Sequence, residues 1–373
     1  MVIMSPNPKK IFGVALDVAD DPWSLQLKWA SMMAAGKGGD DLYADPYDAV
    51  ANKMLGCPDF ELGGKFSIPS WQRPRPQPSD SHLVSVENMQ QFVANGGLLE
   101  TTKRLQDFVE RSIFPALPVM VGVDHSATGG VISALTKRYS PEMLSIVVLD
   151  RHFDAIPLSL RMDGLFRSTP VAHHPSLSLW SGGEPTPQGE RGGPQSWDVN
   201  ELDQYCCGNF WAYLVDAGIV LPEHLLFVGV ADYPSPEIDP KWERLRERYL
   251  GFEERGCGFF PLWKFDGWYA DSLTQFIHDK ITTPYVYVSL DLDVGAYRCI
   301  NAARYMDGPG ITKENLLDIA RIIGEGSQNG NFTLVGFDIM EFNIHFLGIE
   351  TAEGGKDLTL PLVHDFIKAL TRT

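Results

Sequence analysis

Apolar runs with little polar alternation recur along the chain: "KIFGVALDV" at 10–18, "PVMVGVDHS" at 118–126, "SIVVLD" at 145–150, "LLFVGVAD" at 225–232, "TPYVYVSLDLD" at 283–293 and "FTLVGFDIMEF" at 332–342. Each reads as a strand buried on both faces, which suits a parallel sheet. Between them, 86–113 ("VENMQQFVANGGLLETTKRLQDFVERSI") and 312–326 ("TKENLLDIARIIGEG") repeat apolar residues at helical spacing. The second opens on a Thr cap and ends near glycine. Strand alternating with helix predicts an α/β fold whose parallel sheet is covered on both faces. The stretch at about 155–205 breaks the rhythm: it is rich in Pro, Ser, Gly and Trp, with little pattern. A loop of that length is expected to be functional, and it is read as an insertion folded over a site.

Composition narrows this only a little. With 373 residues, 44% apolar and 11% aromatic, the chain can bury a sizeable core. Its opening "MVIMSPNPKK" lacks the apolar stretch of a signal peptide, and no run of about 18 apolar residues appears, so a soluble, cytoplasmic chain is expected. Five cysteines without CxxC spacing suggest neither a disulfide framework nor a thiolate zinc site. Charge changes the picture more. Acidic residues number 48 against 31 basic, a net −17, which argues against nucleic acid or an anionic membrane as partner and tilts the ligand toward a small cation.

The chemistry gathers where the strands end. In "VVLDRHFDA" (147–155), Asp150, His152 and Asp154 alternate with Arg151 and Phe153. In extended chain that spacing puts the three ligand-type side chains on one side. "SLDLDV" repeats the device with Asp291 and Asp293, and "VGVDHS" ends another strand on His125. Ligands of open α/β sheets bind beyond the carboxyl ends of the strands. Four carboxylates gathered there would repel one another and be costly to desolvate. Two divalent ions would cancel their charge and could stabilise a bridging hydroxide at neutral pH. A ligand set this rich in carboxylate suits Mn²⁺, with Ni²⁺, Co²⁺ or Fe²⁺ as other occupants.

These three stretches resemble, in order, the signatures of the arginase/agmatinase (ureohydrolase) family: "GVDHS" (122–126), "DRHFD" (150–154) and "SLDLD" (289–293). The resemblance runs from about residue 8 to the C-terminal helix. It implies a single domain over 1–373 with a three-layer α/β/α fold and a mostly parallel central sheet. One ion would be held by His125, Asp150, Asp154 and Asp291, the other by His152, Asp150, Asp291 and Asp293, so that Asp150 and Asp291 bridge. Glu341, in "GFDIMEFN", stands where the family has the acidic residue that grips the substrate guanidinium. The implied activity is hydrolysis of a guanidino compound with release of urea, in a chain that forms a homo-oligomer, a trimer or hexamer.

Two departures bear on the substrate. Where relatives carry His-Gly-Thr-Pro-Phe, this chain has "CGNFWAYL" (207–214), so Cys207 replaces a candidate proton shuttle. His173 or His174 of the insertion could take that role, and His174 and Asn209 are expected at the substrate pocket, beside Trp180 and Trp197. The loop after the third motif is replaced by "VGAYRCINAARYMDGPGIT" (294–312), and "DVGA" (293–296) and "CGNF" (207–210) resemble more the family's divergent branches, which act on guanidine and substituted guanidines. Asp154 is expected to pass a proton to the leaving nitrogen. Two alternatives stand beside this reading: a formimino or amide hydrolase on the same scaffold, and a catalytically silent subunit of a hetero-oligomer.

Overall fold

A computed structural model of the chain describes residues 8–34, 45–157, 204–234, 243–267, 269–350 and 355–372. Eight strands form one sheet: β1 (Lys9–Val14), β2 (Phe60–Lys65), β3 (Leu117–Gly122), β4 (Leu144–Leu149), β5 (Leu225–Val228), β6 (Gly258–Phe260), β7 (Tyr285–Asp291) and β8 (Thr333–Met340). Their order is β2-β1-β3-β8-β7-β4-β5-β6, and every neighbouring pair is parallel. The described helices are α1 (Pro22–Ala34), α2 (Pro46–Met54), α3 (Val86–Ala94), α4 (Gly97–Phe108), α5 (Thr128–Tyr139), α6 (Phe210–Asp216), α7 (Glu243–Glu254), α8 (Ala270–Lys280), α9 (Lys313–Gln328) and α10 (Thr359–Thr371).

The strands separate two cores, as their two-residue period requires. Phe12, Met120, Ile146, Val148 and Phe227 join one core with residues of α1 and α3 to α7. Ile11, Val119, Val147, Leu149 and Val228 join the other with residues of α2 and α8 to α10. This is the three-layer arrangement expected, with the sheet parallel throughout.

The sequence pattern missed β2 and β6. Both are edge strands, so neither needs apolar residues on two faces: β2 is mostly exposed, and β6 has three residues. The helical pattern over 86–113 breaks at Gly96, whose φ of 74° only glycine adopts at little cost, and continues beyond α4 in a single π turn over Val109–Ile113. Residues 158–203 of the expected insertion, with His173, His174, Trp180 and Trp197, lie outside the described residues.

Candidate metal centre

Four adjacent strands, β3, β8, β7 and β4, carry the candidate site at their carboxyl ends. The register pairs Leu149 with Leu290, which sets Asp150 beside Asp291, and pairs Asp291 with Met340, which places Glu341 one residue beyond. The 150–154 stretch is not an extended strand; it leaves β4 at Leu149 and bends, with Asp154 at φ 47°. That left-handed turn, uncommon for a residue with a Cβ, brings Asp154 to His125 instead of carrying it onward. The alternation holds in outcome: Phe153 packs among Phe227, Tyr249, Phe252 and Phe259, while Arg151 reaches the 304–311 loop.

All six ligand-type residues come together. His125, Asp150, Asp154 and Asp291 each offer an atom within 4.8 Å of the others, and Asp150, His152 and Asp293 form a second such group. His125 Nδ1 lies 3.0 Å from Asp291, 3.1 Å from Asp154 and 3.4 Å from Asp150. His152 Nδ1 lies 2.7 Å from Asp293. Asp150 is common to both groups, whereas Asp291 stands in the first alone and turns Oδ1 to accept the Asp293 backbone N–H at 2.9 Å.

Each histidine is held by its far nitrogen. Ser289 Oγ donates to Asp338 Oδ1 at 2.7 Å, so it accepts from His125 Nε2 at 2.9 Å and leaves Nδ1 facing the carboxylates. Asp338 also accepts Tyr287 and Thr128 hydroxyls, each at 2.7 Å. The supporting roles of these four residues were not anticipated, although a polar residue inside an apolar strand, as Ser289 and Asp338 are, is a signal for such a role.

The electrostatics ask for cations. Burial, then the charges of Asp154, Asp291 and Asp293, pushes Asp150 well above the carboxylate range, and burial with Asp293 pushes Asp291 up to about 7. Burial opposes charge on His125, but contacts with Asp150, Asp154 and Asp291 outweigh it and raise its pKa well above 6.5. Without other cations, protons must therefore neutralise the cluster. Asp150 Oδ2 is buried with no hydrogen-bond partner, as an atom awaiting a metal would be. The donors thus fit two divalent cations: His125, Asp150, Asp154 and Asp291 for one, and Asp150, His152 and Asp293 for the other.

Glu341 sits at the rim of the first group with φ 59°. Its Oε1 accepts the His125 backbone N–H at 2.9 Å, while its Oε2 is buried without a hydrogen bond. Behind it runs a buried ion chain absent from the sequence reading: Arg304 lies 3.6 Å from Glu341 and 3.5 Å from Asp17, and Asp17 pairs with Lys28 at 3.6 Å. Cys207 lies near Asp124, Glu341 and Asp154; burial first, then their charge, pushes its thiol up and keeps it protonated. Asn209 stands at the N-cap position of α6 without a side-chain capping bond; its amide instead holds its own loop, accepting from Cys206 N at 2.9 Å and donating to Gln204 O at 2.8 Å. Among the described residues no helix is long and apolar enough to cross a membrane.

Comparison with known proteins agrees with this geometry. The family model described as "Arginase family" matches residues 69–361. No curated protein matches the chain. Among solved structures, proclavaminate amidino hydrolase from Streptomyces clavuligerus superposes with a TM-score of 0.53 at 16% identity, covering 98% of this chain and 91% of that one. Arginase from Bacillus caldovelox gives 0.53 at 15%, covering 98% and 99%. Formimidoylglutamase from Bacillus subtilis gives 0.54 at 11%, covering 99% and 88%. At such identities the superpositions show a shared fold, and it is the family model, spanning most of the chain and all three ligand-bearing motifs, that makes this protein a divergent member of the arginase family.

Proposed function

We propose that the chain hydrolyses a guanidino compound, such as guanidine, a substituted guanidine or an agmatine-like cation, and releases urea. The observation carrying this reading is Glu341 Oε2: a buried carboxylate oxygen that makes no hydrogen bond, Arg304 Nε lying 3.6 Å from it, on a residue that also touches the backbone of a metal-type ligand. A planar guanidinium N–H fits such an acceptor. Two divalent ions, Mn²⁺ first and Ni²⁺ second, would supply Lewis-acid charge and make water acidic enough to attack at neutral pH. His125, Asp150, His152, Asp154, Asp291 and Asp293 would hold them. Glu341 orients the cation, and the buried surroundings exclude bulk water. Asp154, 7% exposed, takes the proton of the attacking water and delivers it to the leaving nitrogen. In this reading Asn209 shapes the 204–209 turn beside the pocket, and His174 would approach from the insertion.

One observation favours a second reading. Arg304 already places a guanidinium 3.6 Å from Glu341, so part of the carboxylate charge is compensated from within the chain. A less strongly cationic formimino or amide substrate fits that balance better. The test is a product screen with the chain loaded with Mn²⁺ or Ni²⁺. Urea is assayed over guanidine, agmatine, arginine, guanidino acids and alkylguanidines, and ammonia and formamide over formimino substrates. Urea from any guanidino compound supports the first reading; formamide alone moves the second ahead; no turnover leaves the silent subunit. We place the chain in the cytoplasm as a homo-oligomer, trimer or hexamer, which sedimentation would check.

A further inference from the structure

The carboxylate of Asp307 lies between two side chains of the second ligand motif. Its Oδ2 is 3.1 Å from His152 Nε2, and its Oδ1 accepts from Arg151 Nε at 2.5 Å. The loop around it is fixed: Arg151 Nη1 donates to Pro309 O at 2.6 Å, Tyr297 Oη donates to Met306 O at 2.7 Å, and Gly310 N donates to Ala296 O at 2.8 Å. A Cβ on Gly310 would collide with the backbone of Val294 and Ala296, so the loop can pack this closely there only because that residue is glycine. Asp307 thus reaches His152 from a rigid segment, although its side chain is 44% exposed. A carboxylate can only accept from Nε2, so Nε2 carries a proton, and Nδ1, 2.7 Å from Asp293, is the nitrogen left to exchange its proton for an ion.

We infer that Asp307 is the positioning residue of the second ion: it fixes the tautomer and ring plane of His152, and Arg151 holds it there. This rests on the two-ion reading. The arrangement explains why Arg151, which stands inside the ligand motif without being a ligand, reaches into the loop after the third motif. It also parallels the first ion, where Ser289 and Asp338 hold His125 from within the sheet. The two histidines are therefore steadied differently, one by buried strand residues and the other by a half-exposed loop.

The experiment titrates the metal-free full chain with Mn²⁺ in a calorimeter, and with Co²⁺ followed by visible absorption, for the natural sequence, Asp307→Asn and Asp307→Ala. Thermal melts of the metal-free forms run alongside. In Asp307→Ala one site is expected to weaken by about 10- to 100-fold while the other keeps its affinity, and the metal-free melt falls only slightly, as for the loss of a half-exposed ion pair. Asp307→Asn keeps an acceptor for the Nε2 proton and is expected to weaken the same site less. Unaltered affinities in Asp307→Ala, with two ions bound by the natural chain, overturn the role of Asp307 and spare the two-ion reading. Loss of both sites with a lowered metal-free melt overturns it too, by showing a clamp on the fold. Fewer than two ions on the natural chain overturns the two-ion reading itself.

Discussion

Glu341 accepts the backbone N–H of His125 at 2.9 Å, joining the end of β8 to the end of β3 through one carboxylate oxygen while the other stays unbonded. Glu341→Gln keeps an acceptor for His125 and removes the charge. Both ions should still bind, and kcat/KM on a guanidino substrate should fall tenfold to hundredfold, about 1.5–3 kcal/mol. Loss of an ion would place Glu341 among the ligands. An unchanged kcat/KM would favour the amide-type substrate.

Ser289 links His125 to Asp338, and all three are fully buried. Ser289→Ala leaves His125 Nε2 without its acceptor and Asp338 without one donor, while Tyr287 and Thr128 still bond Asp338. The expected result is a loss of about 1–3 kcal/mol in chemical denaturation of the metal-free chain. Affinity at the His125 site should also weaken by about 10- to 100-fold, leaving the other site unaffected. Equal weakening of both sites would show that the sheet end acts as one unit.

The ligand-type cluster was legible in the sequence because metal-type residues at a two-residue spacing on the ends of apolar strands have few structural explanations. What supports it was less so. Arg304 and Lys28 look like ordinary surface cations along the chain, yet they are buried against Asp17 and Glu341, which only tertiary packing decides. Asp307 belongs to a loop whose approach to His152 depends on Gly310 and on Arg151, not on any local pattern. The sheet was legible at its centre and not at its edges, because β2 and β6 lack the doubly apolar faces that mark the inner strands.

Arg304 is 7% exposed and faces two carboxylates, Asp17 at 3.5 Å and Glu341 at 3.6 Å. Removing one partner of a buried ion group leaves its neighbours uncompensated. Arg304→Met should therefore cost about 3–5 kcal/mol in urea denaturation. The double variant Arg304→Met with Glu341→Gln should lose less than the two single changes together, since the second relieves the charge stranded by the first. Simple additivity in that cycle would mean that the two groups do not interact.

The metal-free chain should lose stability as pH rises. Burial with the Asp293 charge holds Asp291 at about 7 against an ordinary 3.8, and Asp150 is raised in the same direction. For a raised folded-state pKa the stabilisation is full below the unfolded value and disappears as pH climbs through the folded one. His125 and His152 are raised too, burial opposing and the carboxylates prevailing, so they add in the same sense. Asp307 is lowered; its contribution declines only in stronger acid. Between about pH 5 and 8 the metal-free melting temperature should fall, and saturating Mn²⁺ should flatten or reverse the trend because ions replace the protons. A flat metal-free profile would mean that the cluster is not neutralised by protons.

Asp150 and Asp291 were expected to be equivalent bridges; before any metal enters, each turns Oδ1 to the N–H two residues on, but Asp150 belongs to both ligand-type groups and Asp291 to one. Asp150 offers an atom to both ligand groups, has Oδ2 buried without a hydrogen bond, and turns Oδ1 to the His152 backbone N–H at 2.6 Å. Asp291 faces His125 through Oδ2, while its Oδ1 accepts the Asp293 N–H that opens the turn after β7. If this division persists once metal enters, Asp150→Ala removes donors from both sites and should leave no tight ion. Asp291→Ala should chiefly weaken the His125 site, and Asp293→Ala the His152 site. Metal content after equilibration with Mn²⁺ then reads close to zero, one and one ion per chain. A value near zero for Asp291→Ala, with its metal-free fold intact, would restore it as a second bridge and mean that its Oδ1 leaves the turn to bind.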